Sequence, residues 1–555
     1  MGTIERPVGA RTGGEVLIDC LAAQGVDRIF CVPGESYLAA LDALCGAGID
    51  VINARHEGGA AMMAEADGKL TGRPGVAFVT RGPGATNAAA GVHVAKQDST
   101  PMVLFVGQIG RAMKGREAFQ EVDYRQTFRD LAKWVEEVDD ADRIPEVVSH
   151  AWHVAMSGRP GPVVLALPED MLRDPTDAAP GPLVEVAEPA PTRAAMERFA
   201  EMLAKAERPV LALGGSRWTE GAVAAAHRFA EAQDLPALVT FRRQGLFDHE
   251  HPNYAGDLGL GPNPRLRALV EESDLLILLG ARLSENPSQG FALLDIPAPQ
   301  IPLVHIHPGA EELGRIYAPA LAINATPGAF LEAAEGAPRR AASGRPAAAH
   351  DAYLAWSGQP PATPGRAEMG PIMSHLRAAA PDAVVANGAG NYAIWVHRFW
   401  RFRRFGAQLA PTSGSMGYGL PAAVAAQARD RSAEVICFAG DGCFQMTGQE
   451  FGTLAQYDLP VIVIVVDNES YGTIRMHQER DYPTRVVGTA LKNPDFAALA
   501  RAYGGHGETV EETEAFPDAF ARARASGKPS IVHVKTSVEA LTPTLTIEGL
   551  RAKAG

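Results

Sequence analysis

A carboxylate and an amide, each set directly after an apolar run, are the residues here whose types and spacing could hold a cation. Val435 to Ala439 leads into Gly440-Asp441-Gly442, and Val461 to Val466 leads into Asp467-Asn468. Asp441 and Asn468 are 27 residues apart, about the length of one strand–helix–strand unit. If the two runs are neighbouring parallel strands, both side chains reach the same sheet edge. A carboxylate and an amide oxygen meeting there make a hard oxygen site suited to Mg²⁺ or Ca²⁺, and Mg²⁺ keeps part of its shell for phosphate. The glycines beside Asp441 let backbone N–H groups approach that phosphate at a helix start. A lone GDG is more often a tight strand–helix turn with an Asp cap; the Asn after a second strand favours the cation site. A second carboxylate, Glu57, follows Val51-Ile52 and opens a stretch containing Ala60, Ala61 and Ala64. Alone, that is a helix-start acid favoured by the helix dipole.

These residues need sheet edges to stand on, and the apolar runs supply them. Val76 to Thr80, Met102 to Gly107 and Val163 to Leu167 read as buried strands in the first third of the chain. Val210 to Gly214 and Leu275 to Gly280 read the same way in the middle, and Ala383 to Ala386, Glu434 to Ala439 and Val461 to Val466 in the last third. Near-continuous apolar strands separated by helical stretches indicate parallel sheets covered on both faces. After Asp441 a helix is expected with Phe451, Leu454 and Ala455 on its buried face, stopped by Pro460. Two Pro/Ala-rich stretches, Asp174 to Arg193 and Glu335 to Arg366, read as connectors outside any core. The expected fold is therefore α/β, with three doubly wound parallel-sheet domains over 1–175, 194–335 and 367–555. Ligands in such sheets bind beyond the carboxyl ends of the strands.

Composition narrows the class. The 555 residues carry a net charge of −14, with 46% hydrophobic and 21% charged residues, which fits globular domains. The acidic balance argues against a phosphate-backbone binder, so no nucleic-acid partner is expected. No apolar run approaches the ~18 residues that span a bilayer. The start of the chain, with Glu5, Arg6 and Arg11, shows no apolar leader. The five cysteines (Cys20, Cys31, Cys45, Cys437, Cys443) are scattered and form no CxxC pair, which fits a reduced, cytoplasmic setting.

The segment from Gly440 to Asn468 resembles the thiamine diphosphate fingerprint, and the chain is similar over nearly its full length to the acetolactate synthase-like branch of that family. The resemblance implies thiamine diphosphate and Mg²⁺ as cofactors, with Asp441, Asn468 and the carbonyl of Ser470 as metal ligands. It places Gly440, Gly442, Cys443, Tyr471 and Gly472 against the cofactor. The glycine-rich turn ending in Gly390, Asn391 and Tyr392 resembles the family's other diphosphate-contacting turn. In the stretch TSGSMGYGLPAA the match implies that Met416 props the cofactor into a V shape while the Gly414 carbonyl accepts from its amino group. RHE…MAE followed by GPGATN resembles the cofactor-activating signature. It implies that the Glu57 carboxyl bonds the aminopyrimidine ring nitrogen and promotes the tautomer that removes the C2 proton. Glu65 and Asp67, further along the same helix, are expected to be solvated or paired.

Three loops are expected to face the reacting carbon. AFQE (Phe119, Gln120, Glu121) is similar to the pocket-lining loop of the acetolactate synthase-like branch. CVPGES places Glu35 and Ser36 where simple carboligases have small apolar residues; Glu35 reads either as a proton donor or anion-excluding group, or as a turn residue in water. His477 stands where herbicide-sensitive acetolactate synthases carry a Trp that shapes the acceptor pocket. The middle segment LLGARLSENPSQGF lacks the Asp pair and Arg of the flavin-gripping motif, so FAD is not expected, although Gly214 and Gly280 leave room for a nucleotide crevice. The expected activity is a decarboxylating carboligase acting on a 2-oxo acid and a carbonyl acceptor. Alternatives are a non-ligating decarboxylase or C–C lyase, a flavin or nicotinamide oxidoreductase, and a catalytically silent homologue. No clean GxGxxG follows a strand, which counts against the nicotinamide option. The resemblance further implies a homodimer or homotetramer whose active sites are shared between chains.

Overall fold

The protein is described here from a computed structural model covering residues 11–554; Glu5 and Arg6 lie outside these residues. The chain forms two compact units, one ending at Ala187 and the other beginning at Glu188.

The first unit is built on six parallel strands: β1 (Arg28–Cys31), β2 (Asp50–Asn53), β3 (Gly75–Val79), β4 (Met102–Gln108), β5 (Trp134–Glu137) and β6 (Pro162–Pro168). Their order across the sheet is β2-β1-β3-β4-β6-β5. β3, β4 and β6 are buried along their whole length, as expected for central strands covered on both faces. Phe78 and Phe105, partners in the β3–β4 register, stack at 4.6 Å between ring centroids. Helices α1 (Gly13–Ala23), α2 (Glu57–Thr71) and α3 (Pro83–Asp98) cover the sheet. α2 and α3 are rich in Ala and Gly because they pack at short range: a Cβ on Gly91 would collide with Ala61. The segment after β6 pairs Pro175–Thr176 with Arg11–Thr12, and Pro182 accepts from Gln24 Nε2.

The second unit contains two more six-stranded parallel sheets. The first holds β7 (Pro209–Leu213), β8 (Ala237–Thr240), β9 (Tyr254–Leu258), β10 (Leu275–Leu279), β11 (Leu303–His307) and β12 (Leu321–Asn324), ordered β9-β8-β7-β10-β11-β12. The other holds β13 (Val384–Asn387), β14 (Gln408–Leu409), β15 (Val435–Gly440), β16 (Ile462–Asp467), β17 (His506–Val510) and β18 (Ser530–Lys535), ordered β14-β13-β15-β16-β18-β17. The first and last sheets thus share one topology, and the middle sheet has another. The expected α/β class, with three doubly wound parallel sheets, is the one observed.

Two expectations need correction. The stretch from Glu335 to Arg366 is not merely a connector. It folds helix α4 (Arg345–Ser357), whose Tyr353 is buried in the core of the middle sheet. His350 bonds the Tyr254 carbonyl and Tyr353 bonds His249 Nδ1 at 3.0 Å. Its Pro and Ala content masked a helix that buries few but large rings. The helix expected after Asp441 is broken: α5 (Asp441–Phe444) stops after one turn, and α6 (Phe451–Gln456) follows a short 3₁₀ turn. Phe451 and Leu454 are buried, whereas Ala455 is half-exposed.

Candidate active site

In each outer sheet the strand order reverses between the first and third strands, which opens a crevice beyond their carboxyl ends. In the last sheet this point lies between β13 and β15. β15 and β16 are adjacent and parallel, with Gly440 opposite Val466, so Asp441 and Asn468 emerge at one edge. There the protein encloses a cavity of about 260 Å³. It is lined by Gly390, Asn391, Tyr392, Gly414, Met416, Gly440, Asp441, Gly442, Cys443, Asn468, Ser470, Tyr471 and Gly472. Every residue of this sheet named from sequence as a cofactor or metal contact therefore lines this cavity. Ile474, Ala540 and Leu541 also line it. His477 lies on the same helix as Ile474, α7 (Gly472–Asp481), but is not among the lining residues.

Close packing explains the glycines. A Cβ on Gly440 would stand 2.9 Å from the Tyr392 ring, and one on Gly442 would stand 2.6 Å from the Tyr471 ring. The Tyr392 hydroxyl meets Cys443 Sγ at 3.3 Å, and the same sulfur accepts from Gly417 N at 3.2 Å. Burial pushes the Tyr392 phenol well above its usual range.

The donor set fits a divalent cation. Asp441 is 3% exposed, and one N–H, that of Ser470, donates to both Asp441 Oδ2 (3.2 Å) and Asn468 Oδ1 (3.1 Å). The two side chains expected to hold a metal therefore converge. Burial, together with the nearby Asp467 carboxylate, raises the Asp441 pKa to about 6. A buried acid with no cationic partner among the described residues is what a metal ion would relieve. Among the described residues no cluster of three or more His, Cys, Asp or Glu is placed to hold a metal. One carboxylate, one amide and backbone oxygen suit Mg²⁺ better than a softer ion.

Sequence reasoning missed what stands behind these two side chains. Asn493 Nδ2 donates to Asp441 Oδ2 and to Asp467 Oδ1, both at 2.7 Å. Asp467, 5% exposed, also accepts from Glu469 N and from His533 Nε2 at 2.7 Å. Burial alone would raise Asp467, and these donors more than reverse it, to about 2. Asp467 sits beside Asn468 in the motif, but no spacing signal pointed to Asn493 or His533.

The first unit gathers its own residues around the turn after β3. Glu57 opens α2, and Asn87 Nδ2 on α3 donates to its Oε2 at 3.0 Å. A Cβ on Gly84 would lie 3.2 Å from Glu57 Oε1. Gln120, held at φ +65°, packs on Gly82, where an added Cβ would meet its Cβ at 2.8 Å. Glu121 accepts from Gly115 N and Ala118 N, and those bonds lower its pKa. Phe119 is 75% exposed. Glu35 is neither free in water nor alone: although its side chain is 65% exposed, it pairs with Arg81 at 3.1 Å, and Arg81 also reaches Glu169 at 2.9 Å. Glu65 is buried and paired, accepting from Thr100 at 2.6 Å with Lys69 at 3.1 Å. Asn87 lies inside the quoted motif and Arg81 directly before it, but neither was singled out.

No helix among the described residues is long and apolar enough to cross a membrane. The sequence matches three thiamine pyrophosphate enzyme descriptions: the N-terminal TPP binding domain over residues 11–127, the central domain over 196–334 and the C-terminal TPP binding domain over 388–534. It is 32% identical to the acetolactate synthase isozyme 2 large subunit of Escherichia coli K12, an alignment covering 94% of this chain and 95% of that one. It is 34% identical to the acetolactate synthase large subunit of Parasynechococcus marenigrum, covering 94% and 87%. It is 32% identical to the acetolactate synthase of Mycobacterium bovis, covering 93% and 86%. With the cavity, the convergent Asp and Asn and this full-length likeness together, the chain belongs to the thiamine pyrophosphate enzymes, in their acetolactate synthase-like branch.

Proposed function

We propose that this enzyme uses thiamine diphosphate and Mg²⁺ to decarboxylate a 2-oxo acid and join the remaining acyl group to an acceptor carbonyl. The observation that carries the reading is the convergence of Asp441 and Asn468 on one N–H at the edge of a cavity lined by Met416 and three glycine-containing turns. Asp441, Asn468 and the Ser470 carbonyl would hold the cation. Backbone N–H groups of the Gly390–Tyr392 and Gly440–Cys443 turns would face the diphosphate. Met416 would wedge between the two rings, and the Gly414 carbonyl would accept from the amino group. The cofactor supplies a carbon nucleophile that the twenty amino acids lack. Glu57, kept in place by Asn87, would hold a proton at the pyrimidine ring nitrogen. Gln120 would border the substrate beside the Gly82 turn, with Phe119 as an apolar wall. The Glu35–Arg81 pair would set polarity at the same edge, and His477 would act from the second turn of α7 on the acceptor side.

The relatives' names support carboligation over simple decarboxylation. We further propose that flavin has no part in the reaction, since the middle segment lacks the paired acids and arginine of the flavin motif. The assembly is proposed as a homodimer or homotetramer in which Glu57 of one chain serves the Asp441 of another, in the cytoplasm. The deciding experiment incubates purified enzyme, thiamine diphosphate and Mg²⁺ with a panel of 2-oxo acids, with and without aldehyde or 2-oxo acid acceptors. CO₂ release with a new C–C bonded product supports the reading. Release of free aldehyde alone would select the decarboxylase alternative, and no thiamine diphosphate binding would end the proposal. Mixing inactive Glu57→Gln and Asp441→Ala chains should restore activity if sites are shared; no recovery after demonstrated subunit exchange would argue against sharing.

A further inference from the structure

We propose that Asn493 is a positioning residue for the divalent cation, acting as an amide bridge that aims the Asp441 carboxylate from a fixed anchor. The inference rests on the functional reading above, because the cation is the one that reading assigns to Asp441.

The bridge has three parts. At its base, Asp467 has both carboxylate oxygens occupied: Oδ1 takes Glu469 N at 2.9 Å and Asn493 Nδ2 at 2.7 Å, and Oδ2 takes His533 Nε2 at 2.7 Å. Asp467 does not line the cavity, so it serves as an anchor. At the tip, Asp441 does line the cavity. Asn493 links them by giving one hydrogen of its NH₂ group to each carboxylate, at 2.7 Å in both cases. The amide has no freedom to turn over, because Gln445 Nε2 donates to its Oδ1 at 3.0 Å. An inverted amide would set its oxygen against two carboxylates and its NH₂ against another NH₂.

The arrangement resolves an electrostatic conflict. Two buried carboxylates sharing one nitrogen repel each other, and without a donor between them the Asp441 side chain would swing away. A neutral amide offsets the repulsion by donating to both carboxylates, and so keeps Asp441 directed at the cavity. A lysine or arginine in its place would satisfy Asp441 and compete with the cation. Groups that orient a metal ligand in this way typically alter metal affinity ~10–100-fold when removed.

The test measures Mn²⁺ binding by the electron paramagnetic resonance signal of the free ion, using full-length metal-free enzyme with saturating thiamine diphosphate. Asn493→Ala should weaken Mn²⁺ binding ~10–100-fold, with the melting temperature of the metal-free protein close to wild type. Asn493→Gln, which keeps an NH₂ group, should recover part of the affinity; a purely space-filling role would not distinguish Gln from Met, so Asn493→Met serves as the control. If the Ala variant does not fold, Asn493→Ser, which retains one donor, takes its place with the same expected direction. Unchanged Mn²⁺ affinity in a folded variant, or equal affinity in the Gln and Met variants, would overturn the inference while leaving the functional reading intact. Wild-type enzyme that binds no Mn²⁺ in the presence of thiamine diphosphate would overturn both.

Discussion

Replacing Glu57 with Gln is the sharpest probe of the proposed chemistry, because the structure separates what the carboxyl does for the fold from what it would do for the cofactor. Glu57 is half-buried at the first turn of α2, and Asn87 Nδ2 donates to its side chain at 3.0 Å. A glutamine has the same length and can still accept that bond through its amide oxygen. Folding should therefore change little, by no more than the ~1 kcal/mol typical of a single hydrogen bond. The amide cannot hold an exchangeable acid proton at the pyrimidine nitrogen, and loss of a positioned acid–base group typically costs ~10²–10⁴ in rate. At 1.36 kcal/mol per factor of ten, that is about 3–5 kcal/mol of lost transition-state stabilisation. The assay is hydrogen–deuterium exchange at C2 of bound thiamine diphosphate, quenched in acid and read by proton NMR, alongside cofactor affinity. The expected result is near-normal affinity with exchange slowed by that factor. Exchange at the wild-type rate in a variant that binds cofactor would refute the assignment of Glu57.

Asp441→Ala should abolish Mg²⁺-dependent binding of thiamine diphosphate, measured by titration calorimetry, while leaving a folded protein. The pH dependence of stability should carry the mark of His249, fully buried and held to about 3 by burial with Arg401 nearby. A base whose folded pKa is lowered makes the protein lose stability as pH falls below the unfolded value. The loss should begin below about pH 6.5 and grow by up to ~1.4 kcal/mol per unit; His249→Gln should flatten that slope in thermal melts between pH 6.5 and 4.5. Gly75→Ala should reduce soluble yield and lower the melting temperature, because its Cβ would collide with the Ala64 backbone carbonyl. Overpacking of this kind costs ~1–3 kcal/mol or more, and a melting temperature equal to wild type would count against that packing.

The central strands were legible because they are buried on both faces. Val76 to Thr80, Met102 to Gly107, Val163 to Leu167 and Val461 to Val466 each begin and end within one or two residues of the observed strands. Two edge strands escaped notice: β5 is half-buried along its length and β17 reads His-Gly-Glu-Thr-Val. A half-solvated strand carries mixed side chains and gives no continuous apolar run. β11, fully buried, was hidden by His305 and His307, whose rings bond backbone groups of Ala281 and Gly309. α4 was masked by its Pro and Ala content because its burial rests on a few large rings.

The residues proposed to face the cofactor, which line one cavity, could be named from sequence because local backbone chemistry dictates them. A glycine must precede and follow Asp441 where Tyr392 and Tyr471 press on the turn, and a carboxylate and an amide must end two neighbouring strands. Those requirements act over a few residues and leave a spacing in the chain. The residues that aim them answer to a different constraint. Asn493 meets Asp441 across 52 positions, His533 meets Asp467 across 66, and Arg81 meets Glu169 across 88. Each is defined by the need to satisfy a buried charge wherever the folded chain happens to bring a donor. That need has no period and no fixed offset, so it is settled only when the sheets have closed around the site.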